Sequence, residues 1–163
     1  MQVKNLLVFN FKGELINVAL NYPGSFHDTK LAVQSGLYTL KLSDRYTPQG
    51  CAVLADSAFI NSNRMLQTKI IRPRKSNEFW EIPHSKALAW LDLLLQRLIP
   101  GVRKAAEWGV RALIAPFGRL HYPLPGNTQK RHRLLTVCCH LLNLRTRTTG
   151  NNQIRSVFFR HSD

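Results

Sequence analysis

Two short runs rich in Leu, Val, Ile and Phe, residues 6–11 and 15–20, are separated only by Lys12-Gly13-Glu14. Such runs on either side of a Gly-containing break predict an antiparallel hairpin at the start of the chain. Residues 51–55 form a wholly apolar run between the turn Thr47-Pro48-Gln49-Gly50 and Asp56, which predicts a strand buried on both faces. Residues 69–72, followed by Pro73, predict one more short strand. The remaining signals are helical. A short helix is expected to end at about Ser35, where Gly36 can terminate it, and residues 37–42 continue as another helical turn. Two helices, over 85–99 and 102–115, are expected on either side of Pro100-Gly101. A last helix over 129–144 is expected to turn Leu134, Leu135, Val137, Leu141 and Leu142 inward. Residues 75–83 read as irregular, and 145–163 as a basic, mostly polar tail. Strands first and helices after, with a buried strand between, indicate an α/β or α+β domain.

A chain of 163 residues is of one-domain length. Its longest apolar stretch, residues 87–95, contains Asp92 and falls far short of the roughly 18–20 residues that span a bilayer, so no membrane role is expected. The N-terminal residues lack the pattern of a signal peptide. Cys51, Cys138 and Cys139 cannot all pair and form no C-x-x-C, which disfavours a disulfide or zinc framework and fits a reducing, intracellular compartment. Lys and Arg number 23 against nine Asp and Glu, a net charge of +14. A surface this positive repels itself and attracts phosphate, so a polyanionic partner is expected.

Because acidic residues are few, their positions matter. Asp28 follows the Tyr22-Pro23-Gly24-Ser25 turn at the head of a short helix; it either caps that helix or serves a site. Asp56 ends the apolar strand, where it either opens a turn or, as ligands in α/β sheets often do, occupies a functional strand end. Glu107 lies in a helix with Arg103 at i−4 and Arg111 at i+4, and is either their surface partner or a ligand. Carboxylates brought to one point repel unless divalent cations neutralise them. A Mg²⁺ ion takes few carboxylates, with waters and phosphate oxygens completing its shell. Two such ions about 3.5–4 Å apart can cleave a phosphodiester.

The sequence words carry a resemblance. Asn21-Tyr-Pro-Gly-Ser-Phe-His-Asp-Thr-Lys-Leu-Ala32 resembles the PGS-x-HDS segment of the Harbinger-type DDE superfamily endonucleases, which derive from transposases. Leu54-Ala-Asp-Ser-Ala-Phe59 is similar to their second catalytic motif, and the segment from Arg103 to Leu113 is similar to the helix that carries their Glu. Phe117-Gly-Arg-Leu120, the Arg131 region, Leu141-Leu-Asn-Leu-Arg145 and Gly150-Asn-Asn-Gln-Ile-Arg155 come after these in the family's order. The resemblance spans roughly residues 4–158.

It implies an RNase H-like α/β fold, a mixed sheet with flanking helices over residues 1–158, and a short tail over 159–163. It implies that Asp56 and Glu107 are the second and third members of a catalytic triad, with Asp28 an added metal-binding position and Mg²⁺ (or Mn²⁺) the cofactor. His27 shares the motif and is expected to be structural or a hydrogen-bonding neighbour. The family's first catalytic Asp precedes the hairpin on the central strand, and no Asp precedes Asp28 here. A truncated copy or incomplete gene model is therefore expected, with two half-sheets in place of one sheet and little cleavage of DNA. The alternative is a non-catalytic DNA-binding or protein-interaction module retained after loss of nuclease activity. An unrelated RNA-binding domain finds no RRM-like or KH-like motif. The resemblance further implies a nuclear location and a Myb-like DNA-binding partner protein.

Residues 101–163 hold eleven Lys and Arg against Glu107 and Asp163. Lys130, Arg131, Arg133, Arg145, Arg147 and Arg155 are the candidates for phosphate contacts, with Arg160 beside them; the plainer reading is that some only keep the surface soluble. Trp80, Trp90 and Trp108 are expected to pack rather than to stack on bases. Cys138-Cys139-His140 cannot converge on one ion, because adjacent helical residues point about 100° apart, and these are expected to pack as well.

Overall fold

A computed structural model of the chain describes residues 2–42, 45–59, 69–73, 86–150 and 152–159. The expected irregular stretch over 75–83, with Trp80, lies outside these residues, as do Arg160 and the last three positions. The chain divides into two compact units. One comprises Met1–Phe26 with Ala105–Asp163, the other His27–Lys104.

In the first unit, β1 (Val3–Phe9) pairs antiparallel with β2 (Leu15–Pro23). Asn10 shapes the turn between them: its Oδ1 accepts from the backbone N–H of Lys12 (3.0 Å) and of Glu14 (2.9 Å). Gly13 adopts φ 82°, a left-handed conformation that glycine reaches without penalty. Irregularities interrupt the register between Lys4 and Leu6 and between Val8 and Phe9. At the first of these Asn21 takes φ 68°, with its N–H donating to Asn5 Oδ1 at 2.8 Å. Bulges of this kind bend a strand, increase its twist and re-aim the side chains beyond them.

Against β2 packs α3 (Thr128–Thr149), capped at its start by Asn127, whose side chain accepts from Lys130 N, and at its end by Gly150 at φ 63°. Leu15, Leu20, Leu113, Leu135, Cys138, Cys139 and Leu142 form one buried cluster, with Leu7, Phe9 and Phe117 packed on it. Each fully buried Leu contributes about 1.5–3 kcal/mol. Asn143 fastens the helix to the strand, donating to Leu15 O (2.9 Å) and accepting from Leu15 N (2.7 Å). The buried stripe of α3 is Arg131, Leu135, Cys138, Cys139, Leu142 and Thr146. Val137 and Leu141, expected inward, are instead 54% and 44% exposed. At 100° per residue they fall about 200° and 240° round from Leu135, so one stripe excludes the other.

The predicted polar tail also differs. After Asn152 comes a short helix, α4 (Gln153–Phe159), whose Ile154 is buried. Asn152 Oδ1 accepts from Ile154 N at 2.8 Å, a side-chain cap that composition does not advertise.

The second unit holds α1 (Asp28–Gln34), a π-helical turn (Leu37–Lys41), and β3 (Val53–Leu54) paired in parallel with β4 (Ile70–Ile71). Gly36, at φ 73°, follows the end of α1 as expected. The strand expected to be buried on both faces is not: Leu54 is 38% exposed, and among the described residues β3 pairs with β4 alone. A two-residue ladder with one neighbour lacks the covering layers that a buried strand requires.

Helix α2 (Lys86–Ile114) belongs to both units, which meet in sequence between Lys104 and Ala105. It runs through Pro100, where two helices were expected. Proline removes one ladder donor and crowds the preceding turn, which bends or breaks a helix according to what the neighbouring turns contribute; here Ile99, only 1% exposed, anchors the turn. Among the described residues the chain is mixed α/β, with two small sheets.

Candidate functional site

Asp28 and Asp56 lie in the second unit. His27 is the N-cap of α1 but makes no capping hydrogen bond with its side chain, and Asp28 is the first helical residue. Asp28 is thus not the cap.

Asp56 follows β3 after one residue, Ala55, whose N–H still bonds Ile71 O at 2.9 Å. Its Oδ1 accepts from Ser57 N at 2.6 Å, and its carbonyl accepts from Phe59 N at 3.0 Å, so the residue does open a turn. That turn is tied to α1, because Thr29 Oγ1 donates to Ala58 O at 2.9 Å. Oδ2 of Asp56 meets Arg103 Nη2 at 3.4 Å, with both side chains about half exposed. A pair so long and so wet contributes at most a few tenths of a kcal/mol, and a cation can displace it.

The same unit holds a side chain, Tyr38, that sequence reasoning passed over. Tyr38 is 5% exposed, and among the described residues its buried hydroxyl has no hydrogen-bond partner. Burial first, and then the negative charge of Asp28, push the phenol above its ordinary range. An orphaned donor within the field of a carboxylate is what a hydrated cation or its water would satisfy. Carboxylate oxygens with a hydroxyl nearby suit a hard divalent ion such as Mg²⁺. The sequence signal was faint: a Tyr in an apolar stretch reads as core.

Glu107 belongs to the other unit, exposed on α2. Its expected partner Arg103, one turn earlier on the helix, pairs with Asp56 instead. Among the described residues no group of three or more His, Cys, Asp and Glu could hold a metal ion.

The basic candidates divide. Lys130, Arg133, Arg145, Arg147 and Arg155 are exposed. Arg131 is 3% exposed and employed otherwise. Its Nε donates to Asn21 Oδ1, Nη1 to Pro125 O (2.9 Å) and Gly126 O (3.2 Å), and Nη2 lies 3.5 Å from Thr128 Oγ1. Asn21 in turn donates to Thr128 O at 3.0 Å. A phosphate contact from Arg131 is therefore replaced by a structural clamp between the β2 bulge and the start of α3. Arg147 is exposed but bonds Glu14, Nε to Oε1 at 2.8 Å.

Cys138 and Cys139 are buried in the core cluster and unpaired, as packing residues would be. No helix among the described residues is long and apolar enough to cross a membrane. The sequence model of the family described as "DDE superfamily endonuclease" matches residues 2–143. No curated protein and no solved structure matches the chain.

Proposed function

The chain belongs to the DDE superfamily endonucleases, and from that premise we propose that it is a transposase-derived, Harbinger-type domain that binds DNA and cleaves it poorly as it stands. Membership implies a nuclease or transposase ancestry, DNA as substrate and divalent metal as cofactor. The finer reading is ours. Asp56 and Glu107 are the ligands of the metal, Mg²⁺ or Mn²⁺, with Asp28 assisting. A divalent ion held by them would activate water or a 3′-hydroxyl and neutralise charge on the phosphodiester. The chain's own part would be to hold carboxylates near one another, and the bond from Thr29 to Ala58, which ties α1 to the turn after Asp56, supports this for Asp28 and Asp56.

What supports the reading of poor cleavage is that, among the described residues, no group of three or more His, Cys, Asp and Glu could hold a metal ion. The test is nicking of supercoiled plasmid in Mg²⁺ or Mn²⁺, with Mn²⁺ binding followed by electron paramagnetic resonance. We expect weak Mn²⁺ binding that Asp56→Asn lowers further, and nicking near background. Robust nicking abolished by Asp56→Asn would overturn the impairment. Metal binding indifferent to both Asp28→Asn and Asp56→Asn would overturn the assignment of ligands.

The second reading, a non-catalytic DNA-binding or protein-interaction module, is favoured by the exposed cations Lys130, Arg133 and Arg145. Under it, charge reversal at Lys130 and Arg133 abolishes function while Asp56→Asn leaves it intact. A nuclear location and a Myb-like partner belong to the proposal by resemblance alone.

A further inference from the structure

Helix α3 carries two apolar stripes, one of which is buried in the core cluster. The other is Val137, Leu141 and Leu144, which are 54%, 44% and 58% exposed. At 100° per residue these three fall about 200°, 240° and 180° round from buried Leu135, on the side turned away from the core. No rotation of α3 buries both sets. Their spacing, four residues and then three, is the step of a seam between paired helices. The stripe is about 60° wide, narrower than the apolar face of roughly 100° by which a helix sits on a core.

Charge frames the stripe. Arg133 stands one turn before Val137, Lys130 a turn earlier again, and Arg145 one turn after Leu141; all three are exposed. Over its 22 residues α3 contains neither Asp nor Glu. On one side the surface continues onto β2, where exposed Ile16 and Val18 line, with His140, a cavity of about 250 Å³ between strand and helix. His140 lies three residues from Val137 and four from Leu144, so cavity and stripe adjoin. Stripe, cations and cavity all belong to the first unit.

These features select among occupants. A phosphate backbone would use the cations but leave the apolar stripe in water. A second copy of the chain would set the same cations against themselves, with no acid on α3 to answer them, and a chain of net charge +14 repels its like. A membrane surface takes a wide apolar face rather than a narrow seam. We propose that the outer face of α3 docks an amphipathic helix of a partner protein, apolar along its seam and acidic along its flanks. The proposal rests on the protein-interaction reading above and gives it a surface and a partner chemistry; it makes no use of the metal ligands.

The full chain is titrated with a synthetic helical peptide of about three heptads, with Leu at the seam positions and Glu on both flanks. A second peptide carries Lys on the flanks instead. Binding is read by fluorescence anisotropy at low and high salt, and backbone amides are followed by NMR. The acidic peptide is expected to bind and to shift the amides of residues 137–144; the lysine peptide is expected to do neither. Leu141→Gln with Leu144→Gln should weaken binding about tenfold or more, since each leucine buries roughly half its surface on docking. Leu98→Gln, the same change at a leucine 63% exposed in the other unit, should leave binding unchanged. Arg133→Gln with Arg145→Gln should weaken it about threefold at low salt and little at high salt. Far-UV circular dichroism checks folding, and Val137→Thr supplies a milder change should the double variant unfold. Failure of the acidic peptide to bind, equal binding of the two peptides, or binding that the leucine pair does not alter would overturn the proposal. Loss of duplex DNA binding, of anionic-vesicle binding or of self-association in the leucine variants would give the face to that occupant and overturn it as well. The interaction reading itself fails separately, through robust plasmid nicking abolished by Asp56→Asn, which none of these variants touches.

Discussion

Replacing Arg131 by Met separates a structural role from a DNA-contacting one. Methionine fills much of the space of the arginine stem but supplies no donor. The substitution deletes bonds to Asn21 Oδ1 and to the carbonyls of Pro125 and Gly126. Hydrogen bonds from a charged donor contribute about 1.5–3 kcal/mol each, so the gross loss is about 4.5–9 kcal/mol. Two effects offset it. The segment around Pro125 and Gly126 is partly exposed, so water can reach those carbonyls. A cation in the first turn of a helix also opposes the dipole, and its removal returns about 0.3–1 kcal/mol. The net expectation is a loss of about 2–4 kcal/mol, a large share of the 5–15 kcal/mol of a typical domain. Urea unfolding followed by circular dichroism should show the midpoint falling by about 1–2 M for a slope near 2 kcal/mol/M. Arg131→Lys should recover little, because an ammonium group cannot span the same acceptors. A loss under about 0.5 kcal/mol, or weaker duplex binding at unchanged stability, would refute the clamp and restore Arg131 as a phosphate contact.

Three further outcomes are expected. Tyr38→Phe removes a buried hydroxyl that has no partner among the described residues, so the metal-free chain should gain up to about 1 kcal/mol by thermal unfolding while its affinity for Mn²⁺ drops; a loss of stability would mean that the hydroxyl is already bonded. Glu14 is held below the usual carboxylate range, chiefly by its hydrogen bond to Arg147 and then by Asn10. A group lowered on folding contributes stability that is present above its unfolded value near 4.3 and lost as pH falls through the folded one. Glu14→Gln should accordingly flatten the acid limb of a stability–pH curve, and an unaltered limb would dismiss the pair. Burial, and secondarily Cys138, pushes the Cys139 thiol up to about 11, so a disulfide reagent at neutral pH should find exposed Cys51 at once and Cys138 and Cys139 only on unfolding. A thiol raised on folding contributes fully below its unfolded value near 8.5 and loses that contribution as pH climbs toward 11; rapid native reaction of all three thiols would contradict the packing.

Local chemistry was legible in the sequence where one rule acted alone. The hairpin, the stop at Gly36 and the turn at Asp56 each followed from Gly, Pro or Asp at a fixed offset. Where two rules competed, the residues did not decide. Apolar side chains occur all round α3, so Val137 and Leu135 looked equally fit for burial, and only packing against β2 chose between them. Pro100 argued for a break, yet the helix runs on through it. At the site, Asp28 and Asp56 were visible as rare acids in a basic chain. The redirection of Arg103 to Asp56, the isolation of the Tyr38 hydroxyl and the burial of Arg131 were not, because each depends on partners distant along the polypeptide.

The bonds from Leu15 to Asn143, from Glu14 to Arg147 and from Gly13 to Asn152 join the beginning of the chain to its end. A ribosome adding roughly 5–20 residues per second needs on the order of ten seconds between making Leu15 and making Asn143. Throughout that interval the newborn hairpin carries Leu6, Leu15 and Leu20 with nothing to cover them, and an isolated ribbon of this size is barely stable in water. Those leucines stay open to non-native contacts until α3 has been made, and a chain cut before α3 would lack Leu135, Cys138, Cys139 and Leu142, which complete their core.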